Sequence, residues 1–443
     1  MSKYNVSCPS GFPEWTPAEE RVYQQWVSVI RDVFEKNGFM PITTPLVERE
    51  ENLLSKGGNP KEMYVLKRIL DEEGDNSHSG NALRFDHTVP LALYVARHLN
   101  DIAFPFKRYA IGPVLRGERA QKGRFRQFDQ CDIDVIGSGE LSLANDAMVA
   151  AVIIQIFERL LEGEKFVVRI NNRKILTGFF EQLKIKKKDI KNVLAIVDDL
   201  EKIGHEKVQK NLLEMGLSET VSKKILEFTE ISGTNDEILK KAEKTGLLQK
   251  TGLNELKEVL QALRFLGVDE KKFKVDLSIA RGLDYYTGTV YETTLVGSEG
   301  LGSICSGGRY DDLAEIFTGK KLPGVGISIG LTRLLSKLFE AKLVNVDRSS
   351  PSHFLVIAAS EGAKSKCLKI ASLIRSFGYP VENYLEDKKI GKQFEYADKL
   401  GIPYAVIVGD DELSKKCVQL KNMKSGTQKE IVAKDLEKEL KKL

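Results

Sequence analysis

Between Arg116 and Arg126 the chain reads RGERAQKGRFR, with positive charges at Arg116, Arg119, Lys122, Arg124 and Arg126. Guanidinium forks bind phosphate oxygens in pairs, so such a stretch suits a nucleotide or a polynucleotide. The residues that follow, QFDQCDIDV, set Asp132 and Asp134 in an apolar frame. Their alternation puts both on one side of a strand. Asp132 alone reads as a supporting or solvated residue. A plainer reading of the basic stretch is a solvated charged hairpin, since isolated surface charge is common.

Three further stretches bear on the same chemistry. RGLDYYTGTVYE gathers Arg281, Asp284, Tyr285 and Tyr286 on one short stretch, with Gly282 and Gly288 at its bends. GGRYDDL offers Gly307 and Gly308, where a backbone can approach a ligand closely, just before Tyr310. GVGISIGLTRLL is a strand leading into a helix that carries Arg333. Its small residues at every second position, Gly324, Gly326, Ser328 and Gly330, leave room for a flat ring against a sheet. Each has a bland counterpart: core tyrosines, a turn, a tight strand–helix junction. Asp86, in RFDHTVP, doubles as a candidate helix cap before Pro90. The other histidines, His78, His98, His205 and His353, lack metal-ligand spacing. The five cysteines are scattered without a C-x-x-C pair, which favours reduced thiols in the cytosol over a disulfide or zinc framework.

These residues need elements to position them. A chain of 443 residues implies two or three domains. A helix is expected over residues 17–37, with Pro17 in its first turn and Gly38 at its stop. FMPITTPLVE reads as extended, with Pro45 confining it to a sheet edge or bend. PFKRYAIGPVLRGER and FRQFDQCDIDVIG read as two antiparallel strands joined by the basic loop. Residues 187–267 read as a helical insertion, with Ile190, Val193, Leu194, Val197 and Leu200 on one face. Residues 345–352 suit a linker. Beyond it the pattern is β-α-β-α-β, a parallel-sheet signature. The net charge of +4 does not by itself argue for nucleic acid. No apolar run reaches membrane-spanning length and no signal-peptide core precedes the first helix.

Taken in order, the segments resemble the histidyl-tRNA synthetase family of class II aminoacyl-tRNA synthetases. FMPITTPLVE looks like the first class motif, FKRYAIGPVLRGERAQKGRFRQFDQ the second and GVGISIGLTRLL the third. RGLDYYTG is the segment most particular to the histidine enzymes. The resemblance implies an α/β fold: a catalytic domain over 1–344 built on an antiparallel sheet with helices, the helical insertion at 187–267, and an α/β anticodon-binding domain at 352–443. It implies a histidine–tRNA ligase that makes histidyl-adenylate from histidine and ATP and passes the histidyl group to the 3′ end of histidine tRNA. Phosphoryl chemistry of this kind needs positioning and fixed positive charge more than a protein nucleophile.

By the same resemblance, Arg116 and Arg281 flank the α-phosphate and Arg333 holds the γ-phosphate end. Asp86, Thr88 and Gln130 receive the histidine ammonium, and His87, between Asp86 and Thr88, is counted among the histidine-binding residues. Asp134 and Tyr286 read the imidazole, while Tyr285 and Tyr310 shape the pocket. Gln121, Lys122, Arg124 and Arg126 face tRNA. Mg2+ accompanies ATP, with its protein ligands unassigned. A cytoplasmic homodimer without membrane contact is expected, and no editing domain is evident. Two alternatives stand beside this reading. One is a regulatory or tRNA-sensing relative without catalysis, which would show no histidine-dependent pyrophosphate exchange. The other is a synthetase for proline, threonine or glycine, against which the Asp134/Tyr286 pair argues.

Overall fold

The computed structural model describes residues 5–55, 60–67, 80–120, 123–246, 250–280, 286–297, 302–312 and 314–443. The chain divides into two compact units, Met1–Pro13 with Trp26–Ala341, and Glu14–Gln25 with Lys342–Leu443.

Helix α1 (Pro17–Lys36) opens on a proline, whose missing N–H costs nothing in a first turn. The Thr16 N–H donates to Glu19 Oε2 at 2.8 Å and the Glu19 N–H donates to Thr16 Oγ1 at 3.4 Å, a reciprocal cap. Gly38, at φ +79°, ends it. Next come β1 (Met40–Pro41), β2 (Val47–Arg49), α2 (Glu50–Leu54), β3 (Asn81–Leu83), α3 (Thr88–Arg97), β4 (Phe106–Leu115) and β5 (Gln127–Ile136). After α4 (Ala144–Leu160), β6 (Phe166–Asn172) and α5 (Arg173–Gln182) the chain runs through α6 (Lys187–Asp198), α7 (Leu200–Ile203), α8 (His205–Glu214), α9 (Glu219–Thr229), α10 (Asn235–Lys244) and α11 (Lys250–Phe265). Ile190, Val193, Leu194, Val197 and Leu200 are all buried there. The unit closes with β7 (Phe273–Val275), β8 (Thr289–Leu295), β9 (Cys305–Tyr310), α12 (Glu315–Thr318), β10 (Gly324–Gly330) and α13 (Leu331–Glu340).

Eight of these strands form one sheet in the order β1-β4-β5-β10-β9-β8-β6-β7. β1 on β4 and β6 on β7 are parallel, and the other neighbours are antiparallel. Helix α4 packs on β10 and α13 on β5. Strand β5 matters most for the site. Its Gln127 end is exposed, and it runs into full burial at Ile136. It therefore carries polar side chains from the solvent edge toward the core.

In the second unit, β11 (Phe354–Ala358), α14 (Lys364–Ser376), β12 (Val381–Asn383), α15 (Ile390–Leu400), β13 (Tyr404–Val408), α16 (Asp410–Lys415), β14 (Cys417–Asn422), β15 (Gln428–Val432) and α17 (Leu436–Leu440) follow one another. Phe354 and Val356 pack with Ile370 and Ile374 of α14, while Leu355 and Ile357 pack with Ala397 near the end of α15. A helix thus covers each face of β11, as a continuous apolar strand requires. The parallel order β12-β11-β13 continues into an antiparallel β14–β15 hairpin. The sequence pattern did not suggest that hairpin, because β15 reads QKEIV and buries only Ile431. Among the described residues no helix is long and apolar enough to cross a membrane.

Candidate active site

The β5/β10 ladder fixes which side chains meet. Ser328 pairs with Asp132, Gly326 with Asp134 and Gly330 with Gln130. Cross-strand partners project from the same face, so Gln130, Asp132, Asp134 and Ser328 share one wall. Thr88, at the start of α3, and Tyr286 and Tyr310, from the β8–β9 region, complete a narrow cleft enclosing about 240 Å³ of space between atoms, part of it open to solvent. A Cβ on Gly326 would fall 2.0 Å from Asp134 Oδ1, and one on Gly324 would fall 2.3 Å from the Tyr310 ring. At Gly324 and Gly326 the small-residue stripe is therefore not the bare floor for a ligand ring that the sequence suggested, whereas a Cβ at Gly330 would meet only Arg333 Cβ at 3.9 Å. The chain's own Asp134 carboxylate and Tyr310 ring occupy that space.

Charge is concentrated behind the wall. Asp86, Asp132, Asp134, Arg84 and Arg108 are all buried, and Arg108 is fully enclosed. Arg108 Nη2 lies 2.5 Å from Asp134 Oδ2, and the Tyr310 hydroxyl donates to Asp134 Oδ1 at 2.7 Å. Arg84 is turned to backbone carbonyls, Pro113 O at 2.9 Å and Thr44 O at 2.8 Å. Arg116, whose charge acts on Asp86, adds a third guanidinium, so three carboxylates stand among three cations. Burial pushes Asp132 up to about 7, with Asp134 and Asp86 adding to the rise and Arg108 and the Ser328 hydroxyl opposing it. Burial also raises Asp86 to about 6, against the Val89 N–H and the Arg116 and Arg108 charges. A cation brought beside these carboxylates would offset the desolvation that raises them.

Asp86 divides its two oxygens. Oδ1 accepts from the Val89 N–H at 3.1 Å, at the start of α3, while the buried Oδ2 has no partner among the described residues. The Gln130 Oε1 is a second buried acceptor without a partner among the described residues. Two buried acceptors held open beside carboxylates raised by burial suit an ammonium group. Close by, just after β4, Arg116 donates to Phe85 O at 3.1 Å and lies 5.1 Å from the centroid of the Phe128 ring. Arg333 is exposed on α13, next to Thr332, whose hydroxyl accepts from the Asp129 N–H at 2.8 Å. Both cations thus stand by the outer end of β5.

A family model described as histidyl-tRNA synthetase matches residues 11–334. The chain belongs to the histidyl-tRNA synthetase family. A model of an anticodon binding domain matches residues 353–443. The histidine–tRNA ligase of Nostoc sp. PCC 7120 is 47% identical, with 99% of this chain and 98% of that protein covered. That of Clostridium tetani is 48% identical, with 94% of each covered. The crystal structure of the Nostoc synthetase superposes with a TM-score of 0.89 at 46% identity, over 99% of this chain and 100% of that one. The chain is accordingly a histidine–tRNA ligase, which activates histidine with ATP and charges histidine tRNA. A Bacillus halodurans protein described as an ATP phosphoribosyltransferase regulatory subunit/histidyl-tRNA synthetase is similar in fold alone, at 20% identity and a TM-score of 0.72.

The residues expected from the sequence divide as follows. Thr88, Asp134, Tyr286 and Tyr310 line the cleft, and Gln130 touches its edge through Ser328. His87 does not line it. Its Nε2–H donates to Gly112 O at 3.1 Å on the β4 side, and burial beside Arg108 and Arg84 lowers it to about 3, so the ring is neutral. Arg126 donates to Glu118 O at 3.0 Å and its own N–H donates to Gly11 O at 2.7 Å, which makes it a brace for the base of the loop. Arg124 pairs with Glu118 while remaining largely exposed. Arg281, Tyr285, Gln121 and Lys122 lie outside the described residues.

Sequence reasoning overlooked Arg108 and Arg84 and set Asp132 aside. Asp132 is buried on the cleft wall rather than solvated. One signal for Arg108 was present. Counting the hairpin outward from its loop pairs Leu115 with Gln127 and brings Arg108 opposite Asp134.

Proposed function

We propose that histidine sits in the cleft between β5, β10 and Tyr286, with its ammonium toward Asp86 Oδ2, Thr88 and Gln130 Oε1 and its imidazole toward Asp134 and Tyr286. The single observation that carries this reading is the pair of buried acceptors, Asp86 Oδ2 and Gln130 Oε1, that have no partner among the described residues. Asp134 keeps accepting capacity for a ring N–H, because a carboxylate has about four lone-pair sites, and Arg108 and Tyr310 hold it in place. His87 serves as packing behind Thr88. Arg116 and Arg281 place charge on the α-phosphate from opposite sides and Arg333 holds the γ-phosphate end. The histidine carboxylate attacks the α-phosphorus and pyrophosphate leaves. The tRNA 3′-terminal ribose hydroxyl then attacks the acyl carbon and AMP leaves, its phosphate taking the hydroxyl proton.

Among the described residues no group of three or more His, Cys, Asp or Glu side chains comes together as a metal site. Magnesium is proposed to enter with the nucleotide as MgATP, since Mg2+ keeps several waters and is commonly held by substrate phosphates. Lys122, Gln121 and Arg124 are proposed to meet the tRNA acceptor end, and residues 352–443 its anticodon. A cytoplasmic homodimer is part of the proposal. Met40, Leu46 and Val47, in the segment that resembles the first class motif, are exposed apolar side chains that a second copy would cover.

Amino-acid-dependent pyrophosphate exchange tests the site. Histidine alone should drive exchange, and Asp86→Asn should raise its KM with little change in the KM for ATP. Unchanged histidine KM in that variant would remove Asp86 from the ammonium site. Sedimentation at micromolar concentration tests the dimer.

A further inference from the structure

Asp132 has no place in the roles described so far, yet it is buried on the cleft wall. Its neighbours form a chain of hydrogen bonds. The Ser328 hydroxyl donates to Asp132 Oδ1 at 2.5 Å, and Gln130 Nε2 donates to Ser328 Oγ at 2.8 Å. A hydroxyl has one proton. Once that proton is given to the carboxylate, Oγ can only accept, so Gln130 must present its NH2 to it. The amide is then fixed in one of its two orientations, and its Oε1 is the atom left buried with no partner among the described residues. Without the carboxylate, Ser328 could donate to Gln130 and the amide could turn over, offering N–H groups where an ammonium must bind.

We propose that Asp132 is a positioning residue that acts through Ser328 to hold the Gln130 carbonyl oxygen toward the substrate ammonium, so that affinity for an amino acid over its deamino analogue depends on this relay. The inference rests on the reading that Gln130 receives the ammonium. A neutral partner would tolerate either amide orientation, whereas a cation accepts only one. The relay is specific to side-chain polarity, not to charge: an Asn at position 132 can still accept the Ser328 proton through its own carbonyl.

The test is calorimetric titration of the full chain at pH 8, above the point near 7 at which Asp132 ionises. The ligands are L-histidine and imidazolepropionate, which lacks only the ammonium. Loss of a charge-assisted hydrogen bond corresponds to roughly a ten- to hundredfold weakening. Asp132→Ala and Ser328→Ala should each weaken histidine by that factor, leave imidazolepropionate within about twofold and leave the KM for ATP unchanged. The double variant should be no worse than either single one, and Asp132→Asn should restore most of the loss. Equal weakening of both ligands, or additive losses in the double variant, overturns the proposal. If Asp132→Ala does not fold, Ser328→Ala alone decides. Gln130→Met separates the two levels. If it loses the discrimination while Asp132→Ala and Ser328→Ala keep it, only the relay fails. If Gln130→Met keeps it, the ammonium site itself is misplaced and the relay falls with it.

Discussion

Asp134→Ala is the substitution whose expected outcome the fold changes most. From the motif alone the loss is of histidine recognition. In the folded unit the same carboxylate also neutralises Arg108, which is fully buried and whose Nε and Nη1 already lack partners among the described residues. Breaking a buried pair from one side costs about 3–5 kcal/mol, because a desolvated charge is left alone. Total stabilities of ordinary domains are only about 5–15 kcal/mol. Asp134→Ala should therefore lower the urea midpoint markedly, by circular dichroism, without substrate present. Arg108→Met combined with Asp134→Ala removes both charges and should recover most of the loss, giving a coupling of about 2 kcal/mol or more. Histidine affinity should stay low in both variants, with ATP affinity near that of the parent. A parental midpoint for Asp134→Ala, or a double variant less stable than the sum of the singles, would refute the reasoning.

Gly326→Ala should abolish histidine binding and destabilise the fold, since its Cβ would fall 2.0 Å from Asp134 Oδ1; unchanged histidine affinity would show that Asp134 has room to move. The raised Asp86 gives a pH prediction with a definite sign. An acid that ionises near pH 6 rather than near 3.8 makes the ligand-free fold lose stability as pH rises from about 4 to about 6, in all roughly 3 kcal/mol. Asp86→Asn should lessen that slope in pH-dependent urea titrations, leaving the part due to Asp132, and an unaltered slope would count against the assignment. Histidine binding at pH 6 should release a fraction of a proton from Asp86, seen as a buffer-dependent heat that shrinks in Asp86→Asn. Arg281→Ala should abolish adenylate formation while histidine binding largely persists; equal loss of both contradicts its place beside the phosphate.

The basic loop, its two flanking strands and the helical stretch at 187–267 were legible because their signals are local. Periods of 2 and 3.6 residues and the Pro and Gly punctuation act over a turn or two of chain. The alternation that set Asp132 and Asp134 on one side of β5 was equally local. The β14–β15 hairpin escaped because its polar outer strand buries a single large side chain, Ile431, and periodicity needs several. His87 was misplaced for a related reason. Adjacency to Asp86 and Thr88 says nothing about which way a ring turns at a helix start, and the Gly112 carbonyl decided it.

From the sequence by itself came the family, the order of the elements and the kinds of side chain at the site. The tertiary structure decided which of those side chains are already spent on one another. Arg108 and Asp134 lie far apart in sequence but opposite each other in the sheet, and Ser328 reaches Asp132 only because β10 lies beside β5. Hydrogen-bond polarity and ionisation depend on every charge within a few ångströms. Strand pairing sets those neighbours, and no local pattern encodes them.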